Sequence, residues 1–397
     1  MNDRVIGKGW LRSDGQKGIR NHVAVVFTVE CAEHVARRIA APFEDVQLFG
    51  YDGCHANDFV RRVMNSLVIH PNLFGVTAVS LGCEMLRAES VLAAARTAGR
   101  ETAHVCIQTD GGTTASIEKG RKLVEEMLAI RDDAPRCEFL LSDLRVGSNC
   151  GGSDATSGFS ANPTVGALFD LLVDAGATCF FDEITEMMGC ADMAASRADE
   201  RVAAAIREAV DRALDVAVKT GQFGIVTGNA EGGLSSIEEK SLGAYMKSGH
   251  RPIREVVRVG ERPRARGLYL IDSIPDDLTR GVSPISDAED MSNAAAAGCH
   301  LLLFTTGRGS PIGSALMPVI KVCGSPRTCQ TMAENIDVDV SDILSGETTI
   351  EDAGECLLGE VIAVAAGKRT RSERLGHTEL HLHYMAQERR VCENAAP

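Results

Sequence analysis

The sequence predicts an α/β protein, with Rossmann-like parallel sheets flanked by helices and arranged as two consecutive α/β domains. Short apolar runs rich in β-branched residues alternate with longer segments whose apolar residues recur at helical spacing, which is how parallel strands joined by crossover helices read. A length of 397 residues exceeds what one core usually supports. The polar run at 131–136 interrupts the alternation, so the expected division is a domain at 1–135, a second at 136–368 and a charged tail at 369–397.

Element by element, the basic, glycine-bearing segment 12–22 runs into a strand at 23–29, followed by a short helix at 31–40. A strand at 46–49 meets a turn at 50–55, and 56–69 is a helix with Phe59, Val63 and Leu67 on one face. The pattern repeats as strand 75–81, turn 82–84, helix 88–98, strand 103–107 and helix 115–130. In the second part, 140–146 reads as a strand end, and Pro163 opens a helical pattern through Leu172. A strand at 178–181, a long helix at 197–219 and a polar loop at 228–242 entering a helix come next. Strands at 267–271, 300–305 and 318–322, a helix at 287–297 and a closing helix at 350–366 complete the compact part. The tail carries His377, His381 and His383, read as surface residues near a loose terminus.

Composition excludes several classes. A net charge of −14 argues against nucleic acid, which needs a basic surface. No run approaches the roughly 18–20 apolar residues of a membrane span, and the first residues lack the apolar core of a signal peptide. Thirteen cysteines, an odd number with no CxxC pair, do not resemble a disulfide framework or a zinc ribbon. A cytoplasmic protein with free thiols, some of them metal ligands, is the expectation.

The chemistry concentrates in 145–163, where glycines, five hydroxyl residues, one cysteine and one aspartate crowd between a strand and a helix. Such residues cannot build a core, but they bring backbone N–H groups, a thiol and a carboxylate close to a small polar ligand. In open α/β sheets, ligands bind beyond the carboxyl ends of the strands. Cys54, Cys83 and Cys150 each follow a predicted strand directly. Converging, they would suit mononuclear iron or an iron–sulfur cluster with one open iron, a Lewis acid toward a leaving hydroxyl. Packing of small cysteines between glycines is the competing reading. Asp182, Glu183 and Glu186 form a second group that could hold a divalent cation, or simply suit a helix N-terminus. After the strand at 300–305, glycines and Arg308 offer a carboxylate grip. Neither GxxxxGK[ST] nor a strand leading into GxGxxG occurs, which disfavours a phosphate loop and a nicotinamide oxidoreductase.

Taken together, the loops resemble the large, catalytic part of the altronate/galactarate dehydratase family. The matching pieces are Arg12-Ser-Asp-Gly-Gln-Lys-Gly-Ile-Arg-Asn-His22, His70-Pro-Asn72, Ser80-Leu-Gly-Cys-Glu84 and Cys150-Gly-Gly-Ser-Asp-Ala-Thr-Ser-Gly158 with Ala161-Asn-Pro163. Asp182-Glu-Ile-Thr-Glu186, Gly228-Asn-Ala-Glu-Gly-Gly-Leu234, Ile237-Glu-Glu-Lys240, Phe304-Thr-Thr-Gly-Arg-Gly-Ser310 and Pro318-Val-Ile-Lys321 follow in family order. The resemblance implies a lyase that removes water from a hydroxylated sugar acid such as altronate or galactarate, giving a 2-keto-3-deoxy acid through an enol. Its expected helper is Fe2+, an iron–sulfur cluster, or another divalent cation (Mn2+, Mg2+ or Ca2+). The family's first large-domain motif begins here at Arg12, so a separate small subunit of the antifreeze-like domain type is expected to complete a two-subunit enzyme, itself a homo-oligomer. The run 318–328 with 336–340 looks especially like the large subunit of sulfolactate sulfo-lyase, which expels sulfite and leaves pyruvate.

Elimination beside a carboxylate needs a carboxylate clamp, a base for the α-proton and help for the leaving group. Arg308, Ser153 and Ser157 are assigned the clamp, with Arg20, His22, Asp154, Asn162, Asn229 and Thr306 as further substrate contacts. The metal is placed near Cys54, Cys83 and Cys150, or on Glu183 and Glu186. His55, Lys240 and Lys321 are the candidate bases, with Glu186 also in the catalytic set. A non-catalytic partner in a complex remains an alternative, for which strand-end loops would be blocked.

Overall fold

The first parallel sheet is built from the strands with the densest β-branched runs. It has four strands in the order Val46–Gly50, His22–Phe27, Leu73–Ser80, Glu101–Cys106, all parallel. The computed structural model describes residues 4–221, 223–274 and 286–382. The second sheet has seven parallel strands, in the order Ile253–Arg258, Gly267–Asp272, Thr178–Phe181, Arg145–Cys150, Leu301–Thr306, Val319–Cys323, Val338–Asp339. Helices cover both sheets, so the fold is the α/β architecture that the alternating pattern predicts.

Three features of the chain differ from that pattern. Val5–Leu11 is a strand pairing antiparallel with Lys17–Gly18 and with Arg136–Leu140, a small sheet that ties the first residues to the start of the second half. Its alternation of exposed and buried residues includes glycines, which hid it. The expected strand end at 140–146 is two strands, Arg136–Leu140 and Arg145–Cys150, separated by a turn that Asp143 closes by accepting the Leu140 N–H at 2.9 Å. Part of the Gly/Ser stretch expected as a loop is therefore a central strand. Ile253–Arg258 is an edge strand whose charged residues masked its period.

The two sheets share an apolar core. Val26, Val63 and Leu67 of the first unit pack in one cluster with Leu302, Phe304 and Met317 of the second. Polar groups sew the same seam. Asn72 accepts from the Ile19 and Arg20 N–H groups and donates to the carbonyls of His300 and Leu316 at 3.0 Å each. Arg12 donates to Pro71 O at 2.8 Å, and His70 Nε2 bonds Cys299 O at 2.9 Å. Residues through Leu382 are packed rather than loose: Glu373, on the short helix Arg371–Leu375, grips Arg20 at 2.7 and 3.0 Å, and Glu379 accepts the Gly313 N–H at 2.8 Å. His377 is half-buried, His381 is exposed, and His383 lies outside the described residues.

Candidate active site

In the seven-stranded sheet the chain first adds strands to one side of Arg145–Cys150, then crosses to the other side at Leu301–Thr306. In open α/β sheets such a reversal marks the usual ligand position, and here it falls at the carboxyl ends of these two strands, where Cys150 pairs with Thr305. Cys150 is buried at this point, and Gly151 follows because a side chain there would run into the Asp287 carboxylate and the Phe304 ring.

Two carboxylates converge on the thiol. The Cys150 N–H donates to Glu183, and Cys150 Sγ lies 3.6 Å from Glu186 Oε2. Ser153 Oγ donates to the same sulfur at 3.2 Å. Glu183 is the one non-glycine residue with positive φ (65°) among the described residues, a conformation that costs energy and persists only where its surroundings hold it. What holds it is visible: its N–H donates to Asp182 Oδ1 at 2.9 Å, and its carboxylate is ion-paired with the fully buried Lys247. Glu186 is paired with Lys240 at 2.6 Å, and Lys240 also donates to Gly224 O.

The electrostatics are unusual for a protein interior. Burial, then repulsion from Glu186, raises the Cys150 thiol above its ordinary value. Burial and Glu186 likewise lift Asp287 to about 6, and burial lifts Asp182 to about 7 and Asp290 well above the usual carboxylate range. Burial pulls Lys240 down, but Glu186 and Cys150 outweigh it and raise its pKa. At Lys247 burial dominates and lowers the pKa. Closely spaced acids, a thiol and two amines with opposed shifts are the composition of acid–base sites.

Other expected residues frame this centre without entering it. Asp154 accepts from Thr156 and from the Ser157 N–H at 2.7 and 2.9 Å, closing the loop on itself. Asn229 donates to Ser153 O at 2.9 Å, Asn162 accepts from Thr305 at 2.6 Å and Thr306 accepts the Gly309 N–H at 2.8 Å. Arg308 lies at the exposed rim, bonded to Gly228 O and to Glu231 at 3.1 Å. Lys321 is buried over the Phe304 ring, 4.9 Å from its centroid, donates to Ile312 O and is pulled down to about 8 by burial.

Several expectations need correction. The three cysteines do not converge: Cys54 and Cys83 are exposed at the end of the four-stranded sheet, whereas Cys150 is buried in the other. Among the described residues, the potential ligand atoms that come within 4.8 Å of one another are those of Cys150, Glu183 and Glu186. His55 is exposed, with Nδ1 3.0 Å from Met85 Sδ. Arg20 is committed to Glu373 and to the carbonyls of Ile19, Val364 and Lys368, and His22 stays neutral through burial, its pKa down at about 4; both belong to the joint between the units. Lys247 and Asp287 were not singled out from sequence. Each reads as an ordinary helix-end charge, and neither carries a local signal that could have distinguished it.

The residues from 141 to 387 match a family model described as D-galactarate/altronate dehydratase, C-terminal, and residues 9–132 match D-galactarate dehydratase/altronate hydrolase, second domain. The chain belongs to the galactarate/altronate dehydratase family. It is similar to the (2R)-sulfolactate sulfo-lyase subunit beta of Chromohalobacter salexigens, with 34% identity covering 94% of this chain and 96% of that one. The altronate dehydratase of Bacillus subtilis is 29% identical over 96% of this chain and 78% of its own length. The galactarate dehydratase (L-threo-forming) of Escherichia coli is 31% identical over 94% and 75%. As a member of this family the protein is a lyase. Several of its family motifs fall into two groups. Those at 12–22 and 70–72 build the joint between the units, and those at 150–158, 182–186 and 237–240 build the Cys150 centre.

The donor set discriminates among the metal groups expected from sequence. An iron–sulfur cluster takes three or four thiolates, and this group offers one. One sulfur with two carboxylates suits a single first-row ion such as Fe2+ or Mn2+ better than hard Mg2+ or Ca2+, which prefer oxygen alone. Lys240 and Lys247 lie against the two carboxylates, and Asp182, Asp287 and Asp290 supply further acid around them.

Proposed function

We propose that the chain is a metal-dependent hydro-lyase that eliminates water from a hydroxylated sugar acid of the altronate or galactarate type. The observation that carries this reading is the buried Cys150–Glu183–Glu186 group with a lysine on each carboxylate, placed at the crevice where such sheets bind ligands. Cys150, Glu183 and Glu186 would hold one divalent ion, Fe2+ first. When bound, that ion supplies Lewis-acid polarisation of the departing hydroxyl.

The chain's own residues do the rest. Arg308 and Ser153 orient the substrate carboxylate at the mouth of the crevice. Lys247, whose pKa burial lowers, takes the proton from the carbon next to the carboxylate through its deprotonated fraction. The C–H electron pair forms the new C=C bond as the β C–O bond breaks, and the leaving hydroxyl departs as water with a proton from the Lys240 ammonium. The resulting enol takes the proton on carbon back from Lys247 and gives up its hydroxyl proton to Lys240, which yields the 2-keto-3-deoxy acid and restores both groups. Lys321, also lowered by burial, is the alternative base.

A second reading is favoured by one observation: the sulfo-lyase subunit is matched over 96% of its length, the two dehydratases over 78% and 75% of theirs. On that reading the same elimination expels sulfite from (2R)-sulfolactate and leaves pyruvate. That relative is named as a subunit, which supports action with a small partner chain of the antifreeze-like type and assembly as an oligomer. The test is anaerobic incubation with Fe2+ and altronate, galactarate or sulfolactate, with and without such a partner, scoring keto acid and sulfite. Keto acid without sulfite supports the dehydratase, and sulfite with pyruvate the sulfo-lyase. Absence of product from all three substrates overturns both.

A further inference from the structure

The seven-stranded sheet has a second charged end. Arg145 opens the strand that Cys150 closes, so roughly 16 Å of extended chain separates the two. Around Arg145 lies a polar cleft of about 210 Å³, lined by Lys17, Arg145, Arg264 and Arg266 against a single carboxylate, Asp143. Asp143 is already engaged by Lys17 at 2.6 Å and approached by Arg266 at 3.9 Å.

Arg145 is the anomaly. Its guanidinium makes no hydrogen bond or ion pair with any described residue, and Nη1 is buried without a partner. The side chain as a whole is half-buried, but leaving its buried N–H unpaired is unfavourable, and its surroundings worsen the problem. Arg262 packs beside it: a side chain at Gly298 would meet Arg145 Nη1 and Arg262 Nε at 3.3 Å each. Arg262 donates to Gln16 Oε1 at 2.8 Å and Ser66 O at 2.9 Å, its buried Nε has no partner either, and as a second cation it offers Arg145 repulsion only. His300, on the cleft wall, has both ring nitrogens committed, to the Arg145 N–H at 2.9 Å and Lys17 O at 2.7 Å. The loop at 263–266 is pinned by Tyr269, which donates to Ala265 O at 2.8 Å, so the arginines stand on a fixed wall.

We propose that this amino-end cleft is a binding site for a compact oxyanion, a phosphate or a carboxylate, seated on the Arg145 guanidinium and flanked by Lys17 and Arg264. The planar fork of Arg145 matches either group bidentately. The volume equals several waters at about 30 Å³ each, enough for phosphate or a small dicarboxylate and too little for a nucleotide. The site lies at the opposite strand ends from Cys150 and is independent of the lyase reading.

Isothermal titration of the full chain with inorganic phosphate, and separately with malonate, at ionic strength held constant with chloride, tests this. The expected result is saturable one-site binding of at least one of the two, weakened at least about tenfold in Arg145→Met and in Arg264→Ala. Arg145→Met also reports through stability: without anion the variant melts no lower than the parent, because it loses an unpaired charge, and it loses the anion-dependent rise in Tm. Binding of neither anion, or equal affinity in Arg145→Met, overturns the proposal.

Discussion

At the residue scale, the buried pairs at the centre are energetically costly. Glu183 sits at φ 65° with its carboxylate on Lys247, and neither side chain touches solvent appreciably. Removing one partner leaves an uncompensated charge inside the protein. Glu183→Gln is therefore expected to lose about 3–5 kcal/mol in urea unfolding, while Glu183→Gln with Lys247→Met recovers most of it. A double variant as unstable as the single one would mean that the two side chains are not coupled.

At the element scale, the strand Arg145–Cys150 positions the thiol, and Gly151 lets the helix Asp287–Ala296 bring Asp287 against it. Gly151→Ala is expected to cost about 1–3 kcal/mol by overpacking and to lower turnover by displacing Cys150. Gly158→Ala, where nothing lies within 4 Å of the added carbon, is the control and should stay within about 0.5 kcal/mol. The same strand shows what was legible in sequence. Parallel sheets, most helices and the Cys150 loop as a candidate site follow from β-branched runs, helical periodicity and an excess of glycine and hydroxyls. The strand itself was missed because Gly-Ser-Asn-Cys carries turn composition, and its strand state comes from two neighbours pairing on either side. Cys54, Cys83 and Cys150 share one local signature, and which sheet each strand joins is a tertiary fact. Lys247 reaches Glu183 only because the helix Ile237–Met246 ends there.

At the scale of the whole molecule, His300 links the two units through Lys17 O, and it and His22 make the region of the joint acid-sensitive. Burial, with help from Arg145, lowers His300 to about 3, and burial with Arg20 lowers His22 to about 4. The unfolded chain binds these protons near pH 6.5 and the folded chain does not, so their contribution is full above that pH and is lost as pH falls toward the folded values. Buried acids with raised values, Asp182 and Asp287, work in the opposite direction, so the difference between parent and variant is the informative quantity. The stability advantage of the parent over His300→Gln at pH 7.5 should shrink by about 1.4 kcal/mol per unit below pH 6.5. Urea titrations at three pH values would show a constant difference if His300 were protonated in the fold.

The central claim is that one buried thiol between two carboxylates makes this family member a lyase. Its most direct test is keto acid formation by Cys150→Ser beside the parent, both purified anaerobically with Fe2+ and both given altronate, galactarate and sulfolactate. The parent is expected to turn over at least one substrate, and the variant to fall by on the order of 100-fold with an unchanged unfolding transition. Full activity in a well-folded Cys150→Ser protein would contradict the claim.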